Sequence, residues 1–352
     1  MKKPHDRGAI QAAALGLRFP PFEPPPWLRN CHVQTLVASR RPRRMNYGWK
    51  TSEPMFIDLG ADGKLLAEAS WQPGRRADAP ILFLLHGLEG SARSKYLVGM
   101  SRKAFACGFH TVRVNTRNCG GTEHLTPTLY CAALSQDVSA IVRHLGDRLG
   151  FERIYAGAVS LGANILLKFL GEQGERGADQ IRGAAVMSPP LDLAAGVRKM
   201  EEPQNWVYRR YFVRKLIERM RRKTRLFPHL GDMERIARIR TIHEFDDVVT
   251  APHFGFRGAD DYYRLASAGP MARNIRVPTL ILQAQDDPLV PCASFRSFAI
   301  DRNPCVRLEI TRHGGHTGFM GMRPASPRDL DEYWGESRIV QFLRNLAFGI
   351  DD

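Results

Sequence analysis

The sequence predicts an α/β fold: a mostly parallel sheet with helices on both faces, opened by an antiparallel hairpin and interrupted by a helical insertion. Three observations carry this. Short, fully apolar runs alternate with helix-length segments whose apolar residues recur at three and four, the pattern of buried parallel strands joined by helices. The runs MFIDL and LLAEASW flank Asp62-Gly63, a hairpin signal. Roughly ninety residues between Pro189 and Pro278 hold no convincing strand, too long a stretch for a structureless loop.

In chain order, the first fifty residues hold PPFEPPPW and RRPRR with little periodicity and are expected to form an extended arm across the fold. The hairpin then opens the sheet. Strands are expected at ILFLL (81–85), TVRVN (111–115), IYAGA (154–158), GAAVM (183–187), TLILQA (279–284) and VRLEI (306–310). Helices are expected at LSQDVSAIVRHLGDRLG and LGANILLKFLGEQG. The resulting division is an arm at 1–50, a core at 51–190 and 271–352, and a helical cap at 191–270.

The 352 residues suffice for a large buried core. No window approaches the roughly 18 uninterrupted apolar residues of a spanning helix, and the start lacks the pattern of a secretory signal, so a soluble cytoplasmic protein is expected. Six cysteines without CxxC spacing read as free thiols rather than metal ligands. A formal charge of +15 favours acidic partners. Nucleic acid would account for the charge alone, since no recognition module accompanies it.

The chemistry centres on AVSLG, at 158–162. Ser160 follows a strand and precedes a helix, the setting in which G-x-S-x-G turns sharply and holds a serine hydroxyl proud of the sheet. Ala158 stands where glycine is usual and adds one methyl to that turn. A helix-capping role for Ser160 is the plain alternative. A serine needs a base, and the base an orienting acid, expected in the order Ser, Asp, His at successive strand ends. After TLILQA come Asp286 and Asp287; Asp287 is preferred because it lies four before Pro291. After VRLEI come His313 and His316; His316 is preferred because Gly314 and Gly315 free the backbone to swing it toward the serine. The oxyanion donors are expected to be the backbone N–H groups of Leu161 and Leu88, the latter in HGLEG. His86 is expected to brace that loop.

These blocks, with FPPFEPPPWLRNCHVQTL, HGLEGSARSKY, RVNTRNCGGTEHLTPTLYCAALSQD, AQDDPLVP and GGHTGF, resemble the YheT-like branch of the α/β-hydrolase superfamily. The resemblance implies the α/β-hydrolase fold and hydrolysis of carboxylic esters by Ser160, Asp287 and His316, on short- to medium-chain acyl esters, acylglycerols or phospholipids. It implies no metal or organic cofactor. The chain departs from the pattern at Ala158 and Ala163, where glycines are common, and at Tyr130-Cys131-Ala132, where Tyr-His-Ser is frequent. Trp27, His32 and Gln34 have no evident chemistry and are expected to be structural.

In the cap, WVYRRYFVRKLIERMRRKTRLF places Val213, Leu216, Ile217 and Met220 on one helical stripe, and Arg210, Arg214, Lys215, Arg219, Arg221 and Arg222 opposite. The stripe either seals the cap with solvated arginines outside, or the helix rests against anionic lipid above Ser160. The leading expectation is an ester hydrolase acting through an acyl-enzyme. The alternatives are an acyltransferase with the same residues, or a silent lipid- or partner-binding protein.

Overall fold

The structure is a computed structural model that describes residues 7–43, 52–75 and 78–349. Eight strands form one sheet: β1 (Glu53–Asp58), β2 (Lys64–Ser70), β3 (Ile81–Leu85), β4 (His110–Val114), β5 (Ile154–Val159), β6 (Gly183–Met187), β7 (Thr279–Ala284) and β8 (Val306–Thr311). Their order is β1-β2-β4-β3-β5-β6-β7-β8, with β2 antiparallel to both neighbours and every other pair parallel. The Asp62-Gly63 hairpin thus forms as expected; Gly63 takes φ +93, and its backbone lies against Leu125.

The parallel strands β3 to β7 are buried on both faces, while the edge strand β8 is largely half-buried, and alternate side chains feed two cores. Phe83, Leu85, Ala156 and Ala158 point to one core; Leu82, Leu84, Tyr155 and Val159 point to the other. Three helices beneath the sheet lie with the second set: α1 (Arg7–Leu15), α3 (Lys95–Ala106) and α9 (Trp334–Phe348) supply Ala14, Leu97, Met100, Ile339 and Phe342. On the first face, α4 (Ser135–Arg143) and α5 (Leu161–Gln173) supply Val138, Ile141, Ile165 and Leu166.

The arm differs from the extended segment expected. It carries α1 and a further helix, α2 (Cys31–Arg40). The Ala-rich run AIQAAAL has strong helix propensity, and the Asn30 side chain caps α2 by accepting from the N–H groups of His32 and Val33. Residues 1–6 and 44–50 of the expected arm, with Arg44 of the basic run, lie outside the described residues.

Between β6 and β7 the described residues form no strand. The longer helices there are α6 (Leu193–Glu201), α7 (Trp206–Leu226) and α8 (Ala259–Ala266). Val213, Leu216 and Met220 of α7 pack on Ile236, Ile239, Ile242, Phe245 and Val249, with Ile217 partly buried beside them, so the predicted stripe does seal an apolar cluster. Among the described residues no helix is long and apolar enough to cross a membrane.

Candidate active site

Ser160 sits between β5 and α5 with φ +54 and ψ −122, a strained conformation held by its N–H donating to Met187 O and its carbonyl accepting from Asn164. The turn is tight because α5 presses on β3: a Cβ on Gly162 would lie 2.4 Å from His86 O. The extra methyl of Ala158 is fully buried, in the core that the sheet shares with α5. Ser160 occupies the N-cap position of α5 but makes no capping hydrogen bond through its side chain. Its Oγ lies 2.9 Å from His316 Nε2 instead.

His316 Nδ1 in turn lies 2.9 and 3.2 Å from the Asp287 carboxylate oxygens. Asp287 is fully buried and accepts from the N–H groups of Leu289 and Val290 at 2.8 and 3.0 Å, so its carboxylate is compensated where no water reaches it. The structure therefore brings Ser160, His316 and Asp287 together and leaves the sequence alternatives aside. Asp286 Oδ1 accepts the N–H of Gly315, and His313 Nδ1 stands 3.4 Å from Asp286 Oδ2 without a hydrogen bond.

The loop carrying His316 is held by α2, a contact the sequence reading did not identify. Thr35 Oγ1 accepts the His316 N–H at 2.9 Å and donates to Cys31 O. Gln34 clamps the same loop through Met320, accepting its N–H and donating to its carbonyl. Gly315, at φ +56, faces α2 so closely that a Cβ would meet Cys31 O and Thr35 Oγ1 at 2.6 Å. His32 reaches across to α7, stacking on Tyr208 with Nδ1 3.2 Å from its hydroxyl. Trp27 is exposed. Gln34 and Thr35 of the arm thus contact the histidine loop, and the only sequence signal of this was the density of polar and aromatic residues in WLRNCHVQT.

Both nominated oxyanion donors are available. Leu161 is the first residue of α5, and Leu88 lies in the Gly87–Gly90 turn; among the described residues neither N–H has a partner, whereas that of Gly87 is taken by the Tyr96 hydroxyl. His86 braces this turn. Its Nδ1–H donates to Gly87 O, and its Nε2 accepts from the N–H of Thr116, which fixes a neutral tautomer. Burial lowers its pKa to about 4, against the opposing pull of the Gly87 carbonyl and Glu89.

Ser160 and His316 open into a chamber of about 790 Å³, mouth included. Its walls are mostly apolar: Leu88, Leu161, Leu193, Val197, Met200, Phe212, Leu216, Ile242, Leu289 and Val290. Two charged groups break this lining. Asp246 accepts hydrogen bonds from Thr250 and Tyr263, and burial pushes its carboxyl up to about 6. Arg219 corrects the sequence reading, which placed it on the solvent side of α7. It is 3% exposed, with Nε 2.7 Å from Glu89 Oε1 and its guanidinium over the Tyr130 ring. Burial opposes its charge, but the neighbouring Glu89 carboxylate outweighs this and raises its pKa. The spacing did contain the signal: 219 is three from Leu216 and 223 seven, and Lys223 is buried too, donating to the carbonyls of Glu123 and Thr126.

A family model described as the alpha/beta hydrolase fold matches residues 80–321. The Escherichia coli (strain K12) protein YheT is 32% identical, covering 92% of each chain. The mouse phospholipase ABHD3 is 32% identical over 68% of this chain and 58% of its own, and the Saccharomyces cerevisiae monoacylglycerol lipase is 30% identical over 84% and 66%. Among solved structures, the Pyrococcus furiosus esterase Pf2001 has a TM-score of 0.54 at 16% identity, covering 87% of this chain and 99% of that one, a likeness of fold alone. On the strength of the family model and the relatives spanning most of its length, this chain belongs to the α/β-hydrolase family, in the branch that contains YheT.

Proposed function

We propose that the chain is a serine hydrolase that cleaves carboxylic esters through an acyl-enzyme on Ser160. At the coarser level it is an esterase- or lipase-type enzyme, as relatives named phospholipase and monoacylglycerol lipase support. The observation that carries the finer reading is the unbroken relay of hydrogen-bond distances from Ser160 Oγ through His316 to Asp287 at the floor of an apolar chamber.

In this reading Ser160 Oγ attacks the ester carbonyl while His316 Nε2 takes its proton, and Asp287 holds the Nδ1–H and offsets the imidazolium charge. The carbonyl oxygen becomes an oxyanion that accepts from the N–H groups of Leu88 and Leu161, the latter at the positive end of α5. The protonated His316 hands its proton to the leaving alcohol oxygen as the C–O bond breaks. Water, deprotonated by His316, then attacks the acyl carbonyl; the bond to Ser160 Oγ breaks, His316 returns the proton to Oγ, and the acid leaves. The apolar walls suit acyl chains of short to medium length.

A panel of p-nitrophenyl esters of rising chain length, run on wild type and Ser160→Ala, tests the reading. Turnover that vanishes in Ser160→Ala supports it; turnover that survives, or a wild type inert to every ester and to a fluorophosphonate probe, refutes it. An added alcohol acceptor separates hydrolysis from acyl transfer by its products.

The substrate-bearing surface is read as the start of α7. Trp206, Val207 and Tyr211 are exposed there beside exposed Arg210 and Arg214, the combination that settles at an anionic lipid interface. Vesicles containing phosphatidylserine are expected to retain the protein and raise turnover of lipid esters. Equal behaviour with neutral vesicles would remove this part of the proposal.

A further inference from the structure

The relay and the apolar walls give no task to the two charged groups of the chamber, Asp246 and Arg219, and only Arg219 holds an unpartnered donor among the described residues. Arg219 projects from α7 into the same chamber that holds Ser160 and His316, and it is 3% exposed. Its Nε is spent on Glu89, and its plane covers Tyr130. Its Nη1 is buried with no hydrogen-bond partner among the described residues. A buried guanidinium N–H without an acceptor is costly, so it is found where something else supplies the acceptor. Glu89 and Tyr130 fix the guanidinium, which makes Nη1 a preset donor rather than a flexible one.

The opposite charge in the chamber belongs to Asp246, which forms no ion pair with Arg219 among the described residues, though the two are near enough to influence each other. An acyl chain of methylenes would leave Nη1 unpaired. A full anion would meet Nη1 but would also stand among Glu89 and Asp246, whose charges already answer that of Arg219. An uncharged oxygen meets the donor without that repulsion, and one carrying a proton can also donate to Asp246.

We infer that Arg219 is a specificity-determining residue whose Nη1 donates to an uncharged oxygen of the substrate, a hydroxyl, ether or carbonyl set along the chain away from the scissile bond. The inference rests on the proposed ester hydrolysis. It predicts that oxygen-bearing esters are selected over plain alkyl esters of equal length, because a site built around a donor discriminates against a ligand that leaves the donor unpaired.

The test uses p-nitrophenyl esters of one chain length in which a single methylene is replaced by an ether oxygen, or bears a hydroxyl, at successive positions. A second series, alkyl esters of one acid followed by acid release, carries the oxygen on the alcohol chain, and a third, again p-nitrophenyl esters, ends the acyl chain in a carboxylate. Wild-type kcat/KM is expected to peak at one oxygen position in the acyl series or in the alcohol series, which identifies the half of the substrate that Arg219 reads. Arg219→Lys, which keeps a cation for Glu89, and Arg219→Gln are expected to lower the ratio of peak to plain alkyl ester about tenfold or more. A flat positional profile in wild type overturns the inference without requiring any variant to fold. A ratio unchanged in active, folded variants overturns it as well, leaving Arg219 as a brace for Glu89. Preference for the carboxylate series overturns the choice of an uncharged oxygen. Calorimetric binding of the same esters to Ser160→Ala reads recognition without turnover, so tighter binding of the oxygen-bearing ester upholds the inference even if the hydrolytic reading fails.

Discussion

His86 gives a prediction whose size follows from its surroundings. The ring is buried under the Gly87–Gly90 turn, donating from Nδ1 and accepting at Nε2 from the Thr116 N–H, so a second proton on Nε2 would set two donors against each other and charge a buried ring, with only the Thr116 hydroxyl, 3.2 Å away, to accept it. Its folded pKa of about 4 lies below the ordinary 6.5. The stability contributed by a neutral His86 is therefore complete above about 6.5 and is lost as the pH falls through that value toward about 4. At about 1.4 kcal/mol per pH unit the full loss is about 3 kcal/mol, and most of it has gone by pH ~4.5. Urea unfolding at constant ionic strength between about pH 7.5 and 4.5, run on wild type and His86→Gln, isolates the effect, because other titrating groups cancel in the difference. Glutamine offers one donor and one acceptor but takes up no proton. The stability gap between the two proteins is expected to close, or reverse, by about 2–3 kcal/mol on acidification. A gap constant to within about 0.5 kcal/mol would mean that the ring is either wet or already paired as a cation, and the bracing argument would fall.

The remaining predictions concern the site itself. Thr35→Val removes the acceptor of the His316 N–H and is expected to cost about 1–3 kcal/mol and lower kcat, with Thr35→Ser restoring both; equal kcat in all three would show that α2 does not set the histidine. Asp287→Asn is expected to reduce kcat about 10³- to 10⁴-fold, because an amide cannot hold the Nδ1–H tautomer against a developing imidazolium, while Asp286→Asn stays within about tenfold; the reverse ranking would reassign the acid. Gly162→Ala forces a Cβ against His86 O, 2.4 Å away, and is expected to destabilise by about 1–3 kcal/mol and abolish turnover. Ala158→Gly removes a buried methyl from the core, so activity is expected to persist with about 1–2 kcal/mol less stability; lost activity would mean the methyl supports the Ser160 conformation.

The fold was legible because its signals are local. Apolar runs too short for helices, alternating with 3.6-period segments, specify buried parallel strands and covering helices, and each of the six parallel runs formed a strand within a residue of its expected ends. Asp62-Gly63 encodes its own reversal. The Ser, Asp and His positions were legible for the same reason, since each follows a strand and the order along the chain restricts the choice. The arm was misread because proline clusters mask the propensity of AIQAAAL and the Asn30 cap, which act over only a few residues.

By itself, then, the sequence determined the sheet, the position of the elbow and which serine, acid and histidine stand at strand ends. Tertiary structure alone decided which groups meet. Thr35 lies 281 residues from the His316 it supports, and Arg219 lies 130 from the Glu89 that draws it inside. Periodicity on one helix cannot show that a cation on its buried flank will find a carboxylate on a distant turn. A charge is buried only where such a partner and a closed wall coincide, and that coincidence exists only once the chain has folded.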